Sequence, residues 1–143
     1  MSFANKSISK TMALRIEQSE ARVIKVVFPS LTNHHNTLFG GEALSWMDET
    51  AFIAATRFCR KTLVTVSSDK IDFKKSIPAG TLAEIVARVI HVGNTSIKVE
   101  VNIFVENMYA DIREHAIKGV FTFVAIDKNR QPTPVWQDPI ESH

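Results

Sequence analysis

One stretch of this chain constrains everything around it. Glu42 to Cys59 is the only long helical candidate. Its apolar residues Ala43, Leu44, Trp46, Met47, Ala51, Phe52, Ile53, Ala54, Ala55 and Phe58 point in nearly every direction around the axis. A helix that is apolar on most sides is a buried one, so the rest of the chain has to supply its walls. With 143 residues and 45% hydrophobic content, there is enough material for one domain with a sizeable core.

The remainder reads as strands. Arg22 to Phe28 clusters Val23, Ile24, Val26, Val27 and Phe28, and Pro29-Ser30 ends it. Leu63 to Lys75 opens with Val64 and Val66 on one face and continues with Ile71 and Phe73 on the other. That phase switch predicts a bulge near Ser67–Asp69. Ile77-Pro-Ala-Gly80 is a turn, Leu82 to Val92 a strand, and Gly93-Asn94 a hairpin turn. Ser96 to Glu106 alternates, with Ile97, Val99, Val101, Ile103 and Val105 inward and Lys98, Glu100, Asn102 and Glu106 outward. Ala116 to Ile126 is the last strand. Short connections between consecutive strands predict an antiparallel sheet. One helix on such a sheet is an α+β domain, here residues 21–136, with the sheet curled around the helix. Residues 1–20 are polar and weakly patterned and are expected to form a flexible arm, with room for a short strand or a turn of helix, and 137–143 a tail.

Bulk properties exclude several classes. A net charge of +2 argues against a dedicated nucleic-acid binder, which needs a concentrated basic face. The single Cys59 rules out an internal disulfide and a cysteine-rich zinc site and fits a reducing compartment. The N-terminus lacks the apolar core of a signal peptide. No apolar run approaches the ~20 residues of a membrane span. The expectation is a soluble cytoplasmic protein with neither nucleic acid nor membrane as partner.

Asp48 is the most informative polar residue. It sits mid-helix, and three of its neighbours one turn away, Leu44, Ala51 and Phe52, are apolar. A carboxylate there either faces water at the helix edge, as an ordinary surface acid, or is buried at a cost of several kcal/mol; the apolar girth of the helix favours a buried, functional acid, with Glu49 beside it the exposed one. Before the helix, Phe39-Gly40-Gly41 leads into the N-terminus. Glycines there let backbone N–H groups approach a ligand, and the helix end favours a developing oxyanion. Alternatively the pair only makes a tight turn. His34 and His35 could supply two metal ligands, but nothing stands at a convincing spacing for the rest of a shell, so no metal is expected. Cys59, beside Arg57, Arg60 and Lys61, has no paired base and is expected to pack. These cations, like Lys70, Lys74 and Lys75, either meet phosphates or are simply solvated.

The loop Thr32-Asn33-His-His-Asn36-Thr-Leu-Phe39-Gly40-Gly41, followed seven residues later by Asp48, resembles that of the hotdog-fold acyl-CoA thioesterases. The nearest group is the bacterial short- to medium-chain acyl-CoA hydrolases related to brain acyl-CoA hydrolase. Asn33, Gly40, Gly41 and Asp48 fall on that pattern. Val64-Thr-Val66 with Asp72-Phe73, Val92-Gly-Asn-Thr-Ser96 and Phe121 to Asp127 also resemble the family, so about residues 20–136 are covered. One departure is Asn36, where the family has glycine; Asn is the next most tolerant of positive φ.

The resemblance implies a hotdog fold: a curled antiparallel sheet of about five strands around one long central helix. It implies a homodimer as the minimum unit, with Asn33 of one subunit and Asp48 of the other sharing a site, and further assembly into a hexamer (trimer of dimers). It implies acyl-CoA hydrolysis with Asp48 as general base, Gly41 N–H as oxyanion donor and Asn33 orienting water or carbonyl, with no cofactor beyond the coenzyme A of the substrate. The acyl chain is expected near Phe39, Trp46 and Met47. Candidate substrate contacts are Phe39, Gly40, His35, Ser67, Ser68, Gly93, Asn94 and Thr95, with Arg57, Lys74, Arg88 and Lys118 for the phosphates. Two rivals on the same fold are an acyl-CoA sensor without hydrolysis and a hydroxyacyl-thioester dehydratase pairing His34 or His35 with Asp48. A third is a structural oligomer that binds no CoA.

Overall fold

The computed structural model describes residues 9–137. Its elements are α1 (Lys10–Ser19), β1 (Ala21–Val26), α2 (Gly40–Cys59), β2 (Thr62–Phe73), β3 (Leu82–Val92), β4 (Ser96–Glu106) and β5 (Arg113–Ile126), with a short 3-10 turn at Pro29–Leu31. The strands form one antiparallel sheet in the order β1-β3-β4-β5-β2. All five touch α2. A sheet can reach one helix with every strand only by curling around it, which is the arrangement expected of a hotdog fold.

The core follows from the two periodicities. On α2, Ala43, Trp46, Met47, Thr50, Ala51, Ala54, Ala55 and Phe58 are buried. The alanines bring the helix axis close to the sheet. Facing them, Ile97, Val99, Val101 and Ile103 of β4 are fully buried, as the alternation predicts; Val105 is only partly covered. Each such side chain contributes about 1.5–3 kcal/mol. Burial of α2 is not all-round, however. Phe52 keeps 44% and Ile53 36% of its surface exposed, so one face of the helix is left uncovered by its own sheet.

The edge strand β2 carries two irregularities. Its register against β5 shifts between Thr65 and Ser67 and again between Asp69 and Asp72. The first falls where the phase switch predicts a bulge. At the second, Lys70 takes φ 51, which re-aims Ile71 inward over Gly119. A Cβ at Gly119 would collide with the Ile71 side chain and come within 3.1 Å of Met47 Cε. Glycine there lets the ends of these two side chains pack directly on β5.

On the outer face, Glu84 of β3 is buried between Arg22 of β1, at 3.0 Å, and Arg113 of β5. Burial pushes its carboxyl up, but hydrogen bonds from Arg113 and Arg22 outweigh this and hold it below the usual range. Three strands are thereby tied through one carboxylate.

The N-terminal segment corrects the expectation of a loose arm. From Lys10 it is helical. Ser9 caps it by accepting from the Met12 N–H at 3.0 Å, and Met12 and Ile16, one turn apart, are buried. Arg15 donates to the Phe58 carbonyl at 3.0 Å, fastening α1 to the end of α2. Tertiary docking, not composition, makes this helix stable. Residues 1–8 and 138–143, where the expected arm begins and the tail lies, are outside the described residues. No helix among the described residues is long and apolar enough to cross a membrane.

Candidate active site

The loop ahead of α2 is built around Asn33. Its backbone N–H donates to Thr37 O at 2.8 Å, and its carbonyl accepts from Asn36 N at 3.0 Å. The side-chain oxygen accepts from His35 N (2.9 Å), Thr37 N (3.3 Å) and Thr37 Oγ1 (3.2 Å). Two backbone donors on one atom identify it as the oxygen, so the Nδ2 amide is the end turned away from the loop. Asn36 closes the turn with φ 60, the left-handed conformation that its tolerance predicts.

Phe39 then serves as N-cap of α2, with no side-chain cap hydrogen bond. The first intrahelical bond runs from Ala43 N to Phe39 O, so the amides of Gly40, Gly41 and Glu42 have no partner within the helix. Neither glycine has a left-handed φ, and a Cβ at either would meet nothing within 4 Å. Conformation does not demand glycine here, nor does packing within the chain. Side chains at both positions would project into open space, so the glycines leave room above the first turn. A helix N-terminus with bare amides is an anion site by its partial charges.

Asp48 lies two turns along, half-exposed, on the uncovered face that also carries Gly41, Ser45, Glu49 and Phe52. Its Oδ1 accepts from Thr65 Oγ1 of β2 at 3.3 Å. Residue spacing does not single out Thr65; a threonine in an alternating strand is an ordinary β-former, and only the register shift beside it marks the spot. Glu49 is exposed to solvent.

Among the candidate substrate contacts, the structure groups some and scatters others. Gly40 and Lys74 line one cleft, with Leu38, Ala43, Phe73 and Ile117. Lys74 pairs with Asp72 at 3.2 Å across exposed surface. Phe39 is half-exposed beside the glycines. Ser68 shares the inward face of β2 with Thr65, while Ser67 faces outward. His35 is exposed on the loop and stacks against His34, centroids 3.9 Å apart. No group of three or more potential metal ligands occurs among the described residues.

Several of the other candidate contacts have partners within the chain and lie away from this cleft. Arg57 donates to the Glu20 and Gln18 carbonyls at 2.9 and 2.8 Å, capping the end of α1. Arg88 pairs with Glu20, and Lys118 with Glu100, on the outer face of the sheet. Gly93 is buried, and Asn94 O accepts from Val135 N; with Thr95 they sit at the far end of α2. Met47 is fully buried against Gly119, and Trp46 packs under Lys25 on the β1 side, so neither lines the cleft. Which partner a surface cation takes depends on non-local geometry that residue spacing does not encode. Cys59 is half-buried, and burial pushes its thiol up, as a packing role requires.

The chain matches the thioesterase superfamily over residues 35–110. It is 42% identical over 118 residues to the uncharacterised acyl-CoA thioester hydrolase YkhA of Bacillus subtilis, covering 81% of this chain and 69% of that protein. Among solved structures it is similar to an acyl-CoA hydrolase of Staphylococcus aureus in complex with butyryl coenzyme A, coenzyme A and coenzyme A disulfide. That likeness has a TM-score of 0.80 and 35% identity and covers 84% of this chain and 73% of the other. The same enzyme also matches as variants with alanine at an aspartate, a threonine and an asparagine. A hexameric acyl-CoA thioesterase matches with a TM-score of 0.81 and 35% identity, over 84% of this chain and 77% of the other.

Proposed function

The chain belongs to the thioesterase superfamily, and from that membership and its site we propose that it hydrolyses acyl-CoA thioesters to free acid and coenzyme A. One observation carries the assignment of roles: bare amides at Gly40–Gly41 and a carboxylate at Asp48 share the uncovered face of an otherwise buried helix.

The thioester carbonyl sits over the N-terminus of α2. Asp48, oriented by Thr65, takes a proton from water as the water attacks the carbonyl carbon. The oxyanion that forms is stabilised by the Gly41 N–H and the helix end. Collapse expels the coenzyme A thiolate, which receives the proton held by Asp48. Asn33 presents its Nδ2 amide to water or carbonyl. The three alanine-substituted positions of the Staphylococcus aureus enzyme are spaced along that chain as Asn33, Asp48 and Thr65 are along this one, which supports the trio as a unit. No resident cofactor takes part.

The uncovered face needs a cover. Phe52, Ile53, Val66 and Phe73 are exposed apolar residues on α2 and β2, and β2 is an open edge that invites pairing with another chain. A second copy seated there encloses Asp48, and the hexameric relative supports a trimer of such dimers. The cytoplasm is the proposed compartment.

The test is thiol release from a panel of acyl-CoAs by the wild type and Asp48→Asn. The expected result is turnover by the wild type and a loss of about 10²–10⁴-fold in the variant. Equal rates in both would transfer the base role to another group, Glu49 first.

A further inference from the structure

The end of α2 opposite the thioester site carries a second concentration of charge. A notch between α1 and α2 is lined by Arg15, Gln18, Ser19, Arg57 and Arg60. Three guanidinium groups meet there, and no carboxylate lines it. Of the other four arginines, Arg22, Arg88 and Arg113 each pair with a glutamate, and Arg130 stands apart on an exposed turn. None of the ion pairs among the described residues includes Arg15, Arg57 or Arg60. In a protein of net charge only +2, three positive charges gathered in one recess stand out.

The recess is also preorganised. Arg15 is fixed by the Phe58 carbonyl at 3.0 Å and lies over the Trp136 ring at 5.7 Å. Arg57 is fixed by two carbonyls of the α1 terminus. Arg60 holds a left-handed φ of 54 as C-cap of α2. The guanidinium groups of Arg15 and Arg57 keep further N–H donors beyond those they spend on carbonyls, so for these two little ordering entropy remains for a ligand to overcome; Arg60 is fixed at its backbone only.

We propose that this notch binds a multiply charged phosphate group, through fork-like contacts from Arg15, Arg57 and Arg60. The notch lies about 30 Å along α2 from Gly40, given 20 residues at ~1.5 Å each. It lies at the end of α2 remote from the bare amides. The phosphate has two sources to distinguish: the coenzyme A of a bound thioester substrate, or a free phosphate compound acting as effector.

The experiment measures thermal unfolding of the full chain with inorganic pyrophosphate at low ionic strength. Arg60→Gly removes one guanidinium while suiting the left-handed backbone; Arg15→Gln and Arg60→Gly together remove two. Arg130→Gln on an exposed turn controls for non-specific attraction. The expected result is a rise of about 9 °C for the wild type at a hundredfold excess over Kd. That rise is retained in Arg130→Gln, reduced in Arg60→Gly and lost in the double variant. No rise in the wild type, or equal rises in all four proteins, would overturn the site. KM for an acyl-CoA and for the same acyl group on N-acetylcysteamine then separates the sources. A rise in KM confined to the CoA thioester in the double variant identifies substrate phosphates; unchanged KM for both identifies a free ligand. The unfolding measurement does not use catalysis, so its result is independent of the thioesterase assignment.

Discussion

The two ends of α2 are built to opposite standards. At the C-terminal end every feature closes the structure: Arg60 caps in a left-handed conformation, Arg15 takes the Phe58 carbonyl, and the Phe58 ring packs on Trp136 at 5.2 Å. At the N-terminal end the capping residue is Phe39, which offers no side-chain bond, and two glycines leave open space above the first turn. A good N-cap contributes about 1 kcal/mol, and this helix forgoes it. The contrast teaches how one helix divides its roles: its C-terminal carbonyls are satisfied by docked side chains, while its N-terminal amides are left without partners in the chain, as the proposed oxyanion role requires.

That contrast can be broken from either side. The largest effect is expected at the closed end. Phe58→Ala empties a fully buried site and should cost about 3–5 kcal/mol in denaturant unfolding, with thiol release per folded molecule retained. If the rate per folded molecule falls as well, the two ends are not separable. Next comes Gly41→Pro, which deletes one amide from the first turn, where proline is otherwise tolerated. A loss of about 10²–10³-fold in kcat is expected, against a small change in melting temperature. Gly41→Ala refines this, because it keeps the N–H; a comparable loss there would show that crowding, not the amide, matters. The smallest effect belongs to the loop. Asn36→Ala should cost about 1 kcal/mol from the left-handed backbone, and Asn36→Gly should restore it; equal stability of all three would mean that the loop relaxes.

Much of this molecule is legible in its residues alone. The alternation from Ile97 to Ile103 reads directly as an inner face, because each strand residue reports its own side. The all-round apolar helix is legible too, though its uncovered stripe at Phe52 and Ile53 is not: one chain's sequence does not say which chain supplies a wall. Helix α1 escapes because only Met12 and Ile16 dock while Leu14 stays exposed, too few contacts to make a periodic signal. In the site, motif spacing marks Asn33, Gly41 and Asp48, and tolerance of positive φ marks Asn36. Thr65 and the cleft beside Lys74 depend on register shifts in β2, which no local pattern specifies.

Gly119 has a last consequence. The ends of Met47, the residue before Asp48, and of Ile71, further along β2 than Thr65, both reach into the space beside it. A side chain at 119 would have to turn both of them aside. The seam between the helix that carries Asp48 and the strand that carries its partner Thr65 is thus closed over a residue of a third element that contributes no side chain of its own to it.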